Sequence, residues 1–245
     1  MTESVQSGFL LIISGPSGSG KDTIIDEIIK RDEKTIVSIS MTTRAMRENE
    51  VDGVNYYFVS EEEFKKNIEN GEMLEWAKYG KHYYGTPKAP IKKWISEGKT
   101  VILKIEVQGA DKIRTQFPDV RTMFLMPPSM SVLEDRLRAR NTDSEEDIRR
   151  RIEIAKTEIG RANDYDYIIV NNRVEDAVED ALEVILRHRR HLRMLTELKS
   201  DKFEEFYYGH QFKDKQLNDY LNESIRVPAP KEDYSDIGLV KVKFD

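Results

Sequence analysis

The sequence predicts an α/β fold, a parallel sheet with helices on both faces. Three observations carry this. Apolar runs and amphipathic stretches alternate along most of the chain, as strands joined by crossover helices do. The run "FLLIIS" (9–14) is short and rich in β-branched residues, the mark of a strand buried on both faces. It leads through "GPSGSG" (15–20) into "KDTIIDEIIK" (21–30), where Ile24, Ile25, Ile28 and Ile29 recur at helical spacing.

The other elements follow in order. "IVSIS" (36–40) and "NYYFV" (55–59) read as strands, the latter followed by the capping pattern Ser60-x-x-Glu63 and a helix that Gly71 stops. "EMLEWAKY" and "KHYYG" predict short strands around a turn, and a helix spans about 87–97. "TVILKIEV" (100–107) is a further buried strand and "GADKIRTQF" a helix. "VRTMFLM" (120–126) is a strand halted by Pro127 and Pro128, and Ser131-x-x-Glu134 is expected to cap a helix to about Arg140. A long charged helix covers 144–162, "YDYIIV" (165–170) is the last clear strand, and "VEDAVEDALEVILRHRR" the helix after it. Ligands of such sheets gather at the carboxyl ends of the strands. Segments of about 40–86 and 130–156 interrupt the alternation and are expected to be excursions from the core. Residues 200–245 form an extension with a possible helix, a Pro-containing linker and the alternating "LVKVKF".

Composition narrows the function. With 38% hydrophobic and 34% charged residues, the 245-residue chain can bury a core and carry a solvated surface. No apolar run approaches the about 20 residues of a membrane span, and "MTESVQSG" lacks the features of a secretory signal, so a cytoplasmic protein is expected. Zero cysteines exclude disulfides and thiolate metal sites. A net charge of −6 argues against a general nucleic-acid coat. The four histidines form no metal motif; "HRRH" (188–191) reads as surface.

Gly15, Gly20 and Lys21 fit the phosphate-binding pattern G-x-x-x-x-G-K-[ST], in the strand–turn–helix context the pattern requires; Asp22 stands where it has a hydroxyl. The loop amides and the helix N-terminus suit a β-phosphate, and Lys21 adds a positive charge at the γ-phosphate. A nucleoside triphosphate is therefore expected on Gly15, Ser17, Gly18, Ser19, Gly20, Lys21, Asp22 and Thr23.

The acceptor is suggested by "SISMTTRAMRENEVDGVNYYF" (38–58), "LEWAKYGKHYYGT" (74–86) and "NTDSEEDIRRR" (141–151). Together with the P-loop, these resemble the guanylate kinase family over about residues 8–195. The resemblance implies a P-loop core with a monophosphate-binding excursion and an arginine lid, together forming a domain over 1–199. It also implies transfer of a phosphoryl group from ATP to GMP with magnesium; no nucleic-acid or membrane partner is expected. By position, Ser40, Arg44, Arg47, Tyr56 and Tyr84 would hold the GMP phosphate, and Glu75 and Thr86 would read the guanine. The chemistry agrees: two arginines three apart can fork onto a phosphate, and a carboxylate accepts from the N1–H and N2–H edge of guanine. Tyr57 and Tyr83 alternate away and read as packing residues. Arg140 and Arg151 match arginines that clamp the transferring group, so Lys21, Arg44, Arg47, Arg140 and Arg151 are the candidate catalytic residues. Arg136, Arg138, Arg149 and Arg150 read as helix surface or partners of Glu145 and Glu146. Asn171 matches a position near the adenine.

Three residues depart from the family pattern: Asp22 for a small or hydroxyl residue, Lys104 for an acid and Asn172 for a common Asp. Thr23 can supply a hydroxyl to the α-phosphate. The strand of Lys104 is expected beside the P-loop strand, with Lys104 close enough to pair with Asp22. The rival readings are a guanylate-kinase-like binding module without catalysis, which usually loses the loop lysine and lid arginines, and a monophosphate kinase of shifted base specificity. The residues name no magnesium ligand.

Overall fold

The computed structural model describes residues 8–117, 120–139 and 144–198. Five parallel strands form the central sheet, in the order β2-β7-β1-β8-β9: β1 (Phe9–Ser14), β2 (Thr35–Val37), β7 (Thr100–Lys104), β8 (Arg121–Met126) and β9 (Tyr167–Val170). β1 lies in the middle and is buried throughout, which is why its sequence is apolar without alternation. Its side chains nevertheless divide. Leu10 and Ile12 join the cluster under α3 (Lys88–Ser96) and α4 (Val107–Gln116), while Phe9, Leu11 and Ile13 pack against α1 (Lys21–Arg31) and α7 (Val174–Leu198). Helices thus cover both faces, as the alternation of elements predicts.

A second sheet, β4-β3-β6-β5, is built within the first excursion from β3 (Met41–Thr42), β4 (Tyr57–Phe58), β5 (Met73–Tyr79) and β6 (His82–Pro87). Helix α2 (Glu61–Glu69) places Phe64 in a small core with Met41, Met73 and Tyr83. Ser60 caps α2 as expected, accepting from Glu63 N–H at 3.1 Å. The second excursion carries α5 (Met130–Arg138) and α6 (Glu145–Ile159), joined through Leu133, Leu137 and Ala155.

Several boundaries differ from expectation. The strand expected at 36–40 ends at Val37, and Ser38–Ser40 lead off the core sheet to β3. The one expected at 55–59 keeps only Tyr57–Phe58, pinned where Tyr57 N–H donates to Ser40 O at 2.8 Å. Helix α5 is capped by Ser129, whose hydroxyl accepts from Val132 N–H at 3.2 Å; Ser131, the expected cap, lies inside the helix. β7 stops at Lys104, and Glu106 is the residue that starts α4 rather than part of the strand. The extension at 200–245 lies outside the described residues.

The reading of the histidines as surface residues is overturned for His188, which is 5% exposed and packs edge-on against Phe9 at 4.4 Å between centroids. Its place on the buried stripe of α7, four residues after Val184, explains this. Burial pushes its imidazole down from 6.5 to about 4, with Arg121 and His191 adding repulsion. Between those two values the unfolded chain binds a proton that the folded chain refuses, so stability falls as pH drops through that window. The loss is expected to approach about 3 kcal/mol near pH 4. Urea melts between pH 7 and 4 should show it, and His188→Gln should flatten the profile.

Candidate active site

Backbone rather than side chains shapes the loop between β1 and α1. Gly15, Gly18 and Gly20 have φ values of 149°, 92° and 93°, which L side chains rarely adopt. A Cβ on Gly20 would also lie 2.3 Å from Asn171 Nδ2. These turns bring the loop to the N-terminus of α1, where backbone amides and the helix dipole favour an anion. Lys21 Nζ donates to the carbonyl oxygens of Gly15 and, at 3.0 Å, of Pro16. Burial pushes its pKa down, opposed by the charges of Glu158 and Asp22.

The loop opens on a cleft of ≈ 460 Å³ lined by Gly15, Ser17, Gly18, Gly20, Lys21, Asp22 and Thr23 from one side. Lys104 and Glu106 enter from the end of β7, and Arg150, Arg151 and Glu158 from α6. Arg151 reaches the loop itself, its Nη1 donating to Ser17 Oγ at 2.9 Å. Arg140 lies outside the described residues. Asp22 and Lys104 are paired as expected, Nζ to Oδ1 at 2.5 Å. Glu158 went unrecognised in the sequence; its only signal was its place seven residues, two helical turns, after Arg151. Burial pushes its carboxyl up.

Two further residues support the loop from behind. Asn171 is 2% exposed, and its Nδ2 donates to Ser19 O at 2.8 Å, so its amide faces the loop. Arg136, read from sequence as surface, is partly buried instead: its Nη2 donates to Asn171 O at 3.0 Å and its Nη1, more loosely, to Ser19 O at 3.5 Å. Its position beside the Leu133/Leu137 stripe of α5 turns it inward. Arg138 stays on the surface with Glu134 and Glu145, and Arg150 pairs with Asp147 at 2.9 Å.

The second sheet gathers another group on one face. Thr86 lies opposite Glu75 in the β5–β6 register, and Tyr84, two residues before Thr86, shares that face. Thr86 Oγ1 donates to Glu75 Oε1 at 2.6 Å, and burial pushes the Glu75 carboxyl up. Arg44 follows β3. Its guanidinium sits 5.5 Å from the centre of the Tyr56 ring, hydrogen-bonds Tyr84 and forks onto Glu50 at 2.9 and 2.6 Å. This fork, with a hydrogen bond from Arg47 N–H at 2.8 Å, holds the Glu50 carboxyl at about 2. The Arg47 side chain is exposed, and Ser40 is half-buried just before β3. Tyr83 points the other way, into the Phe64 core, as its alternation predicts.

A glycine loop propped at a helix N-terminus, with a lysine folded over it and an arginine from a neighbouring helix, defines a P-loop nucleotide-binding protein. The guanylate kinase family model matches residues 7–188. A guanylate kinase of Thermosynechococcus vestitus is 50% identical over 173 residues, 71% of this chain and 91% of that protein. One from Streptococcus thermophilus is 45% identical over 216 residues, 87% and 99% of the two chains. The crystal structure of guanylate kinase from Anaplasma phagocytophilum superposes with a TM-score of 0.59 at 31% identity, covering 76% of this chain and 89% of that one. The chain belongs to the guanylate kinase family.

The prop behind the loop predicts a stability effect. Asn171→Ala leaves the buried Ser19 carbonyl, among the described residues, with only the long Arg136 contact, and is expected to cost about 1–3 kcal/mol in urea unfolding. An unchanged midpoint would remove the prop.

Proposed function

We propose that the protein transfers the γ-phosphoryl group of ATP to GMP, releasing ADP and GDP. A phosphate oxygen of GMP forms the new bond to the γ-phosphorus, and the bond from that phosphorus to the bridging oxygen breaks toward ADP. Such transfer needs alignment and positive charge more than covalent help. The P-loop amides and Lys21 bind the β- and γ-phosphates, with Thr23 at the helix start; Asn171 serves this site by propping the loop. Arg151, already against Ser17, and Arg140 act on the transferring group. Arg44, Arg47, Tyr56, Tyr84 and Ser40 grip the GMP phosphate, while Glu75 and Thr86 read guanine. One observation carries the acceptor reading: Glu75, Thr86 and Tyr84 share one face, next to Arg44, so a base reader and a phosphate grip stand side by side.

Magnesium is the expected cofactor. Among the described residues no three acids or histidines form a metal cage. Asp22, Glu106 and Glu158, which line the cleft, would be the acids closest to such an ion. When bound, it would neutralise charge on the phosphates.

An ADP-release assay across GMP, dGMP, AMP, UMP and IMP tests the assignment. Turnover with GMP and dGMP above the others is expected; no turnover with any would favour a binding module, and a preference for another base a shifted kinase. The retention of Lys21 and Arg151 at the loop supports catalysis.

Glu75→Gln should lose a charged hydrogen bond worth about 1.5–3 kcal/mol and lower kcat/KM for GMP accordingly. Because burial raises the Glu75 pKa, the parent should lose GMP affinity on the acid side earlier than an exposed carboxylate would, and the Gln variant should lack that limb. Equal use of GMP and AMP by the parent would reject the assignment.

Arg140→Ala and Arg151→Ala should lower kcat by about 10³–10⁵-fold while changing the GMP KM less, since these arginines are assigned to the transition state. Steady-state kinetics with unaltered turnover in both variants would remove the clamp.

A further inference from the structure

A carboxylate directly after the loop lysine sits in the helix turn that faces the phosphates, and it has its own cation. Lys104 ends β7, in register with Ile13 of β1, and its Nζ lies 2.5 Å from Asp22 Oδ1. The two side chains are 47% and 71% exposed, and an ion pair so solvated contributes little to stability. Its consequence falls on whatever occupies the cleft. Three acids line that cleft, Asp22, Glu106 and Glu158, and all lie within electrostatic reach of the Lys21 amine.

Asp22 has a local reason to be there. An acid in the first turn of a helix is favoured by the dipole. The same place sets it against a polyanion that uses the same amides. We propose that Lys104 is a positioning residue for the triphosphate. It draws the Asp22 carboxylate to the β7 side of the cleft and cancels its charge. The loop can then keep a helix-stabilising acid and still accept phosphate. The inference rests on the reading of the loop as the ATP site.

A double-mutant cycle tests it. ATP binding is measured by calorimetry for the parent, Lys104→Ala, Asp22→Ser and the double variant, each with magnesium and with chelator. Lys104→Ala should weaken ATP binding about tenfold, because Asp22 loses the charge of Lys104. The double variant should return to within about twofold of the parent, the non-additivity that marks a coupled pair. The Lys104→Ala loss should be larger for metal-free ATP, which carries more negative charge than its magnesium complex. In kinetics, Lys104→Ala should raise the KM for ATP more than it lowers kcat. Additive single effects, unweakened binding by Lys104→Ala, or a double variant as weak as Lys104→Ala would each overturn the pairing role. The last is also what a purely structural part for Lys104 would give. A parent that binds no ATP would overturn the ATP-site reading and the inference with it; a parent that binds normally while the cycle is additive would overturn the inference alone.

Discussion

The site depends on one backbone constraint, the sharp turn that carries the chain from the centre of the sheet into α1. Positive φ at Gly15, Gly18 and Gly20 presents amides where side chains would otherwise stand. That shape leaves no room for variation, because neighbours crowd each glycine. A Cβ on Gly15 would approach the Leu125 carbonyl to 2.3 Å, and one on Gly18 would meet Leu133 at 3.0 Å. The loop is therefore clamped between β8, α5 and Asn171 at the end of β9. The clamp also joins the loop to α6, because α5 packs on Gly18 and on α6 through Leu133, Leu137 and Ala155. Arg151 meets Ser17 by way of that packing.

Cations within the two groups are held by internal partners, two of them by neutral oxygens and two by carboxylates. Lys21 lies on two loop carbonyls, Arg151 on a hydroxyl, Lys104 on Asp22, and Arg44 on Glu50 over an aromatic ring. A phosphate offers two or three charged oxygens and can replace the contacts of Lys21 and Arg151 to neutral oxygens with stronger, charged ones. The side chains are thereby kept near the positions proposed for their work, which would spare the cost of ordering them at each binding event. Over the whole chain the net charge is −6, so what attracts an anion here is local arrangement, not the global field.

The central sheet was legible from sequence because a buried parallel strand leaves an unbroken apolar run, as β1 and β8 do. The P-loop was legible because its glycines serve a backbone need that few other residues meet. Short strands were harder: the pattern at 36–40 ran past Val37, where β2 ends, the pattern at 55–59 overstated the two-residue β4, and the two-residue β3, which depends on partners distant in sequence, gave no pattern of its own. The cap of α5 misled because Ser131-x-x-Glu134 has the acid that a capping box requires, whereas the serine that caps, Ser129, has Val132 at that spacing. Arg136 and His188 escaped for a common reason: a polar side chain on the rim of a buried stripe gives no signal of which way it turns.

Burial also bears on how the proposed base reader would work. Glu75 is desolvated enough for its carboxyl to be pushed up, and a short hydrogen bond from Thr86, with the charge of Lys112, offsets part of that cost. Among the described residues the hydrogen bond given to Glu75 is on Oε1, so Oε2 is the oxygen proposed to meet a donor edge. In such a setting a base with two N–H donors recovers the desolvation cost, whereas a base offering an acceptor there leaves the carboxylate unpaired and is penalised by the same amount. A fully exposed carboxylate would discriminate less, because water would satisfy it with either base. The strain of burying Glu75 and the selectivity assigned to it are therefore one free energy, set by how deeply the β5–β6 pair encloses that side chain.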